Sequence, residues 1–218
     1  MIEGIIFILR TGCPWRDLPA CFGPWNSVYT RFRRWSEIGL WALVLDILCG
    51  KAKGKTRFLD ATHVKVHQDA ANPAGGQQNQ AIGRTKGGLN SKVTALVDRC
   101  GMVLQITLAP GHMADVKAAN EIVLPRQSHL IADKGYDSDR FRTQIRDNDS
   151  SPCIPARSNR KNPEPHHRGF YRKRHKVENF FQRAKRFRRI GTRYEKLDQT
   201  FLAMLHLASV LDWLRYGF

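Results

Sequence analysis

Apolar residues recur along this chain with two different periods, and the change comes near residue 50. Before it, the spacing is helical. Ile5, Ile6, Ile8 and Leu9 fall on one side of a first helix, which Gly12, Pro14 and Pro19 end and Gly23-Pro24 keeps apart from the next. A second helix runs through Val28, Phe32 and Trp35, with Asn26 or Ser27 as its cap. Gly39 separates a third, Leu40 to Leu48. After the basic linker Lys51-Ala-Lys-Gly-Lys55 the pattern alternates. Arg57 to Val66 is rich in β-branched residues and predicts a strand, with Phe58, Asp60, Thr62 and Val64 on one face and His63 and Lys65 on the other. Lys92 to Val97 and Met102 to Leu108 predict two strands joined by a turn at Asp98-Arg-Cys-Gly101, and Pro110-Gly111 ends the second. Then come a helix over 114–123, a buried strand over 128–133, a helix over 138–145, a short strand over 151–155 and a helix over 171–185. A last amphipathic helix spans about 198–216, with Phe201, Leu202, Leu205, Leu207, Val210 and Leu211 mainly packing inward.

Three strands, helix, strand, helix, strand, helix is the order of a ribonuclease H-like α/β fold. The expected architecture is a five-stranded mixed sheet flanked by helices, its second strand antiparallel to its neighbours. A small all-α subdomain, residues 1–50, precedes the larger domain, residues 51–218. In that fold the first strand, the end of the fourth strand and the helix after the fifth converge on one edge. Asp60, Asp133 and Glu178 occupy those three places. Asp is depleted in strands, and an acid in mid-strand needs a partner or a task.

Charge sharpens the picture. The chain carries +17 at neutral pH, and from Arg157 to Lys196 fifteen Lys or Arg face three Glu, a net of +12. A solvated helix face ordinarily mixes signs, whereas this concentration suits phosphate and points to nucleic acid or an anionic membrane. No apolar run approaches the roughly 20 residues of a membrane span, and the first ten residues lack the basic start of a signal peptide. The five Cys are scattered without a Cys-x-x-Cys pair, which reads as reduced, mostly buried thiols in the cytoplasm.

On a helix over 171–185, Tyr171, Arg174, Glu178 and Lys185 fall within about 60° of one another. Val177, Phe180, Phe181 and Ala184 form the apolar face beside them. Glu178 is the only carboxylate between Glu164 and Glu195. It either pairs with Arg174 or Gln182, or binds a metal ion that works on a bound phosphate. Converging carboxylates suit two Mg²⁺ or Mn²⁺ ions, which can clamp both oxygens of a phosphoryl displacement. The remaining acids read as structural: Asp98 solvated in its turn, Asp137 and Asp139 capping the next helix, and Asp115 starting one. His63 suits a structural hydrogen bond and Tyr136 packing. The Gly-rich loop 69–90 lacks a phosphate-loop ending, and its Arg84 and Lys86 can reach DNA phosphates; 70–82 reads equally as disordered. Arg31, Arg33 and Arg34 allow a helix-turn-helix-like DNA-binding unit at the N-terminus, while its Trp residues read as core filling.

Tyr171, two residues, Arg174, three residues, Glu178, six residues, Lys185 resembles the mark of bacterial insertion-sequence transposases of the DDE type. The likeness is greatest to insertion-sequence family five, in the grouping that includes family four. It extends to Leu59-Asp-Ala-Thr-His63, Ile82-Gly-Arg-Thr-Lys-Gly-Gly-Leu89, Ala132-Asp-Lys-Gly-Tyr-Asp137 and Arg10-Thr-Gly-Cys-Pro-Trp-Arg-Asp-Leu-Pro19. The resemblance implies Asp60, Asp133 and Glu178 as ligands of two divalent cations, and Tyr171, Arg174 and Lys185 as contacts of the element's terminal nucleotides. Arg183, Arg186, Arg189 and Arg193 extend the DNA surface. It implies cleavage of a phosphodiester at the element's ends and attack of the freed 3′-hydroxyl on target DNA, by a homodimer in the DNA complex. Such relatives carry a further helical stretch ahead of the part that matches Met1 onward, so a truncated copy is one expectation. A non-cleaving DNA-binding derivative, or a nuclease of the same fold without strand transfer, is the alternative.

Overall fold

The computed structural model describes residues 1–217. Its strands are β1 Thr56–Val66, β2 Gly83–Thr85, β3 Gly88–Val97, β4 Val103–Pro110, β5 His129–Ile131, β6 Ser151–Cys153 and β7 Thr192–Arg193. Its α-helical segments are α1 Ile2–Thr11, α2 Trp25–Glu37, α3 Leu40–Cys49, α4 Asp115–Ala118, α5 Asp139–Asp147, α6 Arg168–Tyr171, α7 His175–Lys185, α8 Arg188–Gly191 and α9 Asp198–Tyr216.

The long strand β1 is central. It pairs antiparallel with β3 and parallel with β5; β4 lies antiparallel on the far side of β3, and β6 parallel on the far side of β5. The resulting order, β4-β3-β1-β5-β6, is the ribonuclease H-like order, with the second of these strands in sequence antiparallel to its neighbours. Two short strands raise the expected five to seven: β2 adds to the start of β3, and β7 pairs with the end of β1 at Lys65 and Val66.

Helices cover both faces. Alternation along β1 and β5 sends Phe58 and Ile131 into one core, and Leu59 and Leu130 into the other. The first core also holds Ile5, Ile8, Leu9 and Leu45 of the N-terminal helices, Val177 and Phe180 of α7, and Phe201 and Met204 of α9. The second lies under α5, around Phe141 and Ile145. Helix α9 is buried almost all round, against α2 and α3 on one side and β4 and α7 on the other. Thus residues 1–49 and the sheet share one apolar cluster.

Local chemistry explains the ends. Helix α1 stops at Gly12, whose φ of 73° is easy only for Gly and whose N–H donates to the Ile8 carbonyl at 2.9 Å. Helix α2 starts directly after Pro24, so neither Asn26 nor Ser27 caps it. The β3–β4 turn closes on Asp98, which is buried, not solvated: its carboxylate accepts from the N–H groups of Lys53, Cys100 and Met102. Gly101, at φ 83°, sits so near the Lys176 carbonyl that a Cβ would come within 3.1 Å, and this seats the start of α7 on the turn. The expected helix over 114–123 shrinks to α4 and one 3-10 turn, Ala119–Glu121. The expected helix over 171–185 is interrupted: α6 ends at Tyr171 and a 3-10 turn, Arg172–Arg174, precedes α7. Cys21 and Cys100 are exposed, contrary to the expectation of mostly buried thiols, and all five Cys are free. Among the described residues no helix is long and apolar enough to cross a membrane.

Candidate active site on the sheet

Strand register brings the first two acids together. Thr56 lies opposite His129 and Phe58 opposite Ile131. Continuing that parallel register by two residues sets Asp60 level with Asp133, on the same face as Phe58 and Ile131, with adjacent strands about 4.8 Å apart. Asp133 lies two residues past the end of β5, and its Oδ1 accepts the Gly135 N–H at 2.7 Å. A Cβ at Gly135 would stand 2.7 Å from that oxygen, so any larger residue there would push the Asp133 carboxylate aside. Burial pushes the Asp60 carboxyl above its ordinary pKa, and the Asp133 charge adds to this. The Ala61 N–H and the Arg174 guanidinium act the other way without cancelling it.

Glu178 reaches this pair through a guanidinium. It stands in the first turn of α7, on the core face that carries Asp60 and Asp133. Arg174 donates from Nη1 to Asp60 Oδ2 at 2.7 Å and from Nη2 to Glu178 Oε1. Burial opposes the Arg174 charge, but Asp60 and Glu178 raise its pKa above the ordinary arginine value. Lys185, at the other end of α7, donates to Thr62 Oγ1 at 2.8 Å and to the His63 carbonyl at 3.0 Å, so the helix is clamped along β1. Tyr171 packs edge-on against His166 at 5.3 Å. Arg174, in the 3-10 turn, and Glu178 and Lys185, on α7, thus lie beside β1, while Tyr171 belongs to α6.

Other expected residues divide into two groups. Arg84 and Lys86 lie exposed at the β2–β3 hairpin, and Arg186 is exposed after α7. Arg183, Arg189 and Arg193 instead brace the fold. Arg183 grips Asp212 through Nε and Nη2 and also reaches the Gly101 carbonyl. Arg189 is buried on Glu195 and the carbonyls of Gly12 and Cys13. Arg193 is fully buried, donating to Ser91 Oγ and to the carbonyls of Gln80, Glu195 and Lys196. These three guanidiniums are spent inside the protein, which corrects their expected place on the DNA surface. His63 keeps its expected structural bond, to the Gly111 carbonyl at 2.9 Å.

Sequence reasoning missed the support behind Asp133. Asp137 is buried, not a helix cap: Ser138 Oγ accepts the Phe141 N–H. Asp137 takes bonds from Arg142 Nε at 2.9 Å, Arg160 Nη1 at 2.6 Å and the Arg157 N–H at 2.8 Å. Arg157 then holds the carbonyls of Lys134 and Gly135. Tyr136 is buried as expected, yet its hydroxyl has no partner. Burial and the nearby charges of Asp60, Asp115 and Asp133 raise its pKa. The one signal in the sequence was an Asp five residues before an Arg on the same short helix approach.

The donor chemistry of Asp60, Asp133 and Glu178 fits Mg²⁺ or Mn²⁺, which take carboxylate oxygens. As the side chains stand, no group of three His, Cys, Asp or Glu among the described residues is placed to hold a metal ion. Arg174 instead spans two of the three carboxylates.

Comparison with known proteins bears on this geometry. Residues 1–45 match the family model described as "Putative transposase of IS4/5 family", and residues 51–213 match "Transposase DDE domain". A Brucella ovis protein named "Putative transposase for insertion sequence element IS6501" is 35% identical over 130 residues, covering 58% of this chain and all of that protein. The "Insertion element IS402 uncharacterized 16.2 kDa protein" of Burkholderia cepacia is 31% identical over 86 residues, covering 38% of this chain and 56% of that protein. A piggyBac transposase synaptic complex with hairpin DNA aligns at a TM-score of 0.48 and 9% identity, covering 75% of this chain and 47% of that one. The fold assignment rests on the strand order above. The chain thus spans the whole of the first relative, just over half of the second and under half of the solved one.

Proposed function

Since the chain belongs to the DDE-domain transposases of the IS4/5 grouping, we propose that it cuts DNA at the ends of an insertion sequence and joins the freed 3′-hydroxyl to target DNA. The observation that carries this is the shared level of Asp60 and Asp133 on adjacent parallel strands, with Glu178 one guanidinium away. Together these are the oxygen ligands that Mg²⁺ or Mn²⁺ requires, and when bound such ions activate the attacking oxygen and stabilise the leaving one. The division into residues 1–50 and 51–218 and action as a homodimer on the DNA belong to the same proposal.

The chain's own residues then do the following. Asp60 and Asp133 fix two ligand positions rigidly, because one is in a central strand and the other is held by Gly135 and the Asp137 network. Arg174 neutralises Asp60 and Glu178 until a phosphodiester arrives. The phosphate then offers the guanidinium a bidentate partner of its own, which frees both carboxylates. Lys185 holds α7 against β1 while this exchange occurs. Arg84, Lys86 and Arg186 meet the flanking phosphates. The test is a joining assay with the inverted repeats that flank this gene and Mg²⁺ or Mn²⁺, including a pre-nicked end. Joined product that depends on the divalent ion supports the proposal. Cleavage without any joining, even from the pre-nicked end, would make the protein a nuclease instead.

A further inference from the structure

Behind the carboxylates, the turn that follows Asp133 carries a hydroxyl with no acceptor. Tyr136 ends the 3-10 turn Lys134–Tyr136, and its N–H donates to the Asp133 carbonyl at 3.1 Å. Its ring is wholly buried in the core under α5, with Phe141 at 6.0 Å. Its O–H is closed off from the surface and unpaired. A buried donor without an acceptor costs stability, so its place calls for a physical reason. No ligand reaches this oxygen from outside as the protein stands. An acceptor therefore has to come from a neighbouring side chain that moves.

Three carboxylates stand near enough to serve. Beyond burial itself, the charges that act on the hydroxyl are those of Asp60, Asp115 and Asp133, in that order. They are not equally free to turn. Asp115 Oδ1 takes the Lys92 ammonium, which is itself buried. Asp133 Oδ1 is tied to the Gly135 N–H, hard against the turn. Asp60 differs, because its Oδ2 is held by Arg174, the group that an arriving phosphate draws away in the exchange described above. We propose that Tyr136 is a positioning residue for Asp60: when Arg174 lets go, the freed carboxylate accepts the Tyr136 O–H on one oxygen and presents the other to the divalent cation. The inference rests on the metal-dependent reading above and adds the group that orients one of its ligands. Ligating carboxylates are commonly fixed by such hydrogen bonds, and losing one weakens metal binding about 10–100-fold. The hydroxyl is thus unpaired while Arg174 bridges Asp60 and paired once it leaves, so the two residues are coupled.

The test is a cycle of four proteins: wild type, Tyr136→Phe, Arg174→Ala and the double variant. Each is measured without DNA, for Tm in the absence of metal and for Mn²⁺ affinity by calorimetry. Phe fills the same space, so the ring packing is kept. With Arg174 present, Tyr136→Phe removes an unpaired hydroxyl, and Tm should hold or rise. In Arg174→Ala the same change removes a bond that has formed, and Tm should fall. Arg174→Ala should bind Mn²⁺ about tenfold more tightly than the double variant does. Arg174→Met, which keeps most of the side chain's length, takes the place of Arg174→Ala if that protein does not fold. A Tyr136→Phe effect of the same size and sign in both backgrounds, as a purely structural hydroxyl would give, overturns the proposal. An Arg174→Ala protein that binds no Mn²⁺ sinks the metal-dependent reading and this proposal with it. Mn²⁺ binding that is indifferent to Tyr136→Phe sinks the positioning role alone.

Discussion

Replacing Arg174 by Ala tests the junction on which the site depends. The side chain is 23% exposed and links Asp60, 18% exposed, with Glu178, 45% exposed. A hydrogen bond to a charged group is worth about 1.5–3 kcal/mol when sheltered, and an exposed helical pair of this spacing about 0.3–0.5 kcal/mol. The Asp60 bond therefore dominates, and its loss also leaves Asp60 beside Asp133 without a cation. A destabilisation of about 2–3 kcal/mol follows, and for a chain of this size that lowers Tm by about 4–12 °C. The same change opens the carboxylates to a divalent cation. Mn²⁺ at one hundred times its Kd would return about 2.7 kcal/mol. The assay is thermal unfolding of wild type and Arg174→Ala, each with and without Mn²⁺ and without DNA. The variant should melt lower and recover with Mn²⁺ far more than the wild type gains. An Arg174→Ala protein with the wild-type Tm, or one whose Tm ignores Mn²⁺, would refute the reasoning.

Asp137→Asn breaks a buried ion pair with Arg142 and should cost about 3–5 kcal/mol, read by denaturant unfolding. Burial alone would raise the Asp137 carboxyl, but the Arg157 N–H and the Arg142 and Arg160 guanidiniums hold it below its ordinary pKa; its contribution is present above the unfolded value near 4 and is lost as pH falls through the lower folded value, so acid unfolding of wild type should steepen there and that of Asp137→Asn should not. Burial lowers His206 from 6.5 to about 4, so the folded state binds fewer protons between those values; stability should fall by up to about 1.4 kcal/mol per pH unit as pH drops through that window, and His206→Leu should flatten the slope. Neutralising the exposed Lys86, Arg186 and Arg188 together should reduce the slope of log DNA affinity against log salt by about 2–3 units, whereas changes at Arg183, Arg189 or Arg193 should register mainly as lost stability.

Much of this arrangement was legible in the chain. Alternation marked β1, β3 and β4, and placing Asp60 in mid-strand and Asp133 at a strand end already implied their meeting. The α9 boundaries follow from Asp198 and an unbroken apolar helix to Tyr216. Other parts left no local trace. No Pro or Gly announces the break at Arg172–Arg174, beside which Arg174 bonds Asp60, a residue far away in sequence. β2 and β7 have three and two residues, too few to show alternation. The basic run gave no means of separating phosphate-facing arginines from bracing ones. The partners of the latter, Gln80, Ser91 and Asp212, lie far away in sequence and meet them only on folding. Glu195 likewise counted as one acid in a basic stretch until burial left one of its oxygens bare.

Cleavage by Glu178→Gln tests the central claim most directly. Glu178 is 45% exposed and Gln keeps its size and helix propensity, so the variant should fold. It also removes a negative charge from a surface that meets phosphate, so DNA affinity should hold or rise. Strand cleavage and joining with Mg²⁺ or Mn²⁺ are measured beside DNA binding and Tm for wild type and variant. The account predicts a folded, DNA-binding Glu178→Gln protein that neither cuts nor joins, while cutting and joining at the wild-type rate would remove Glu178 from the site and the three-carboxylate mechanism with it.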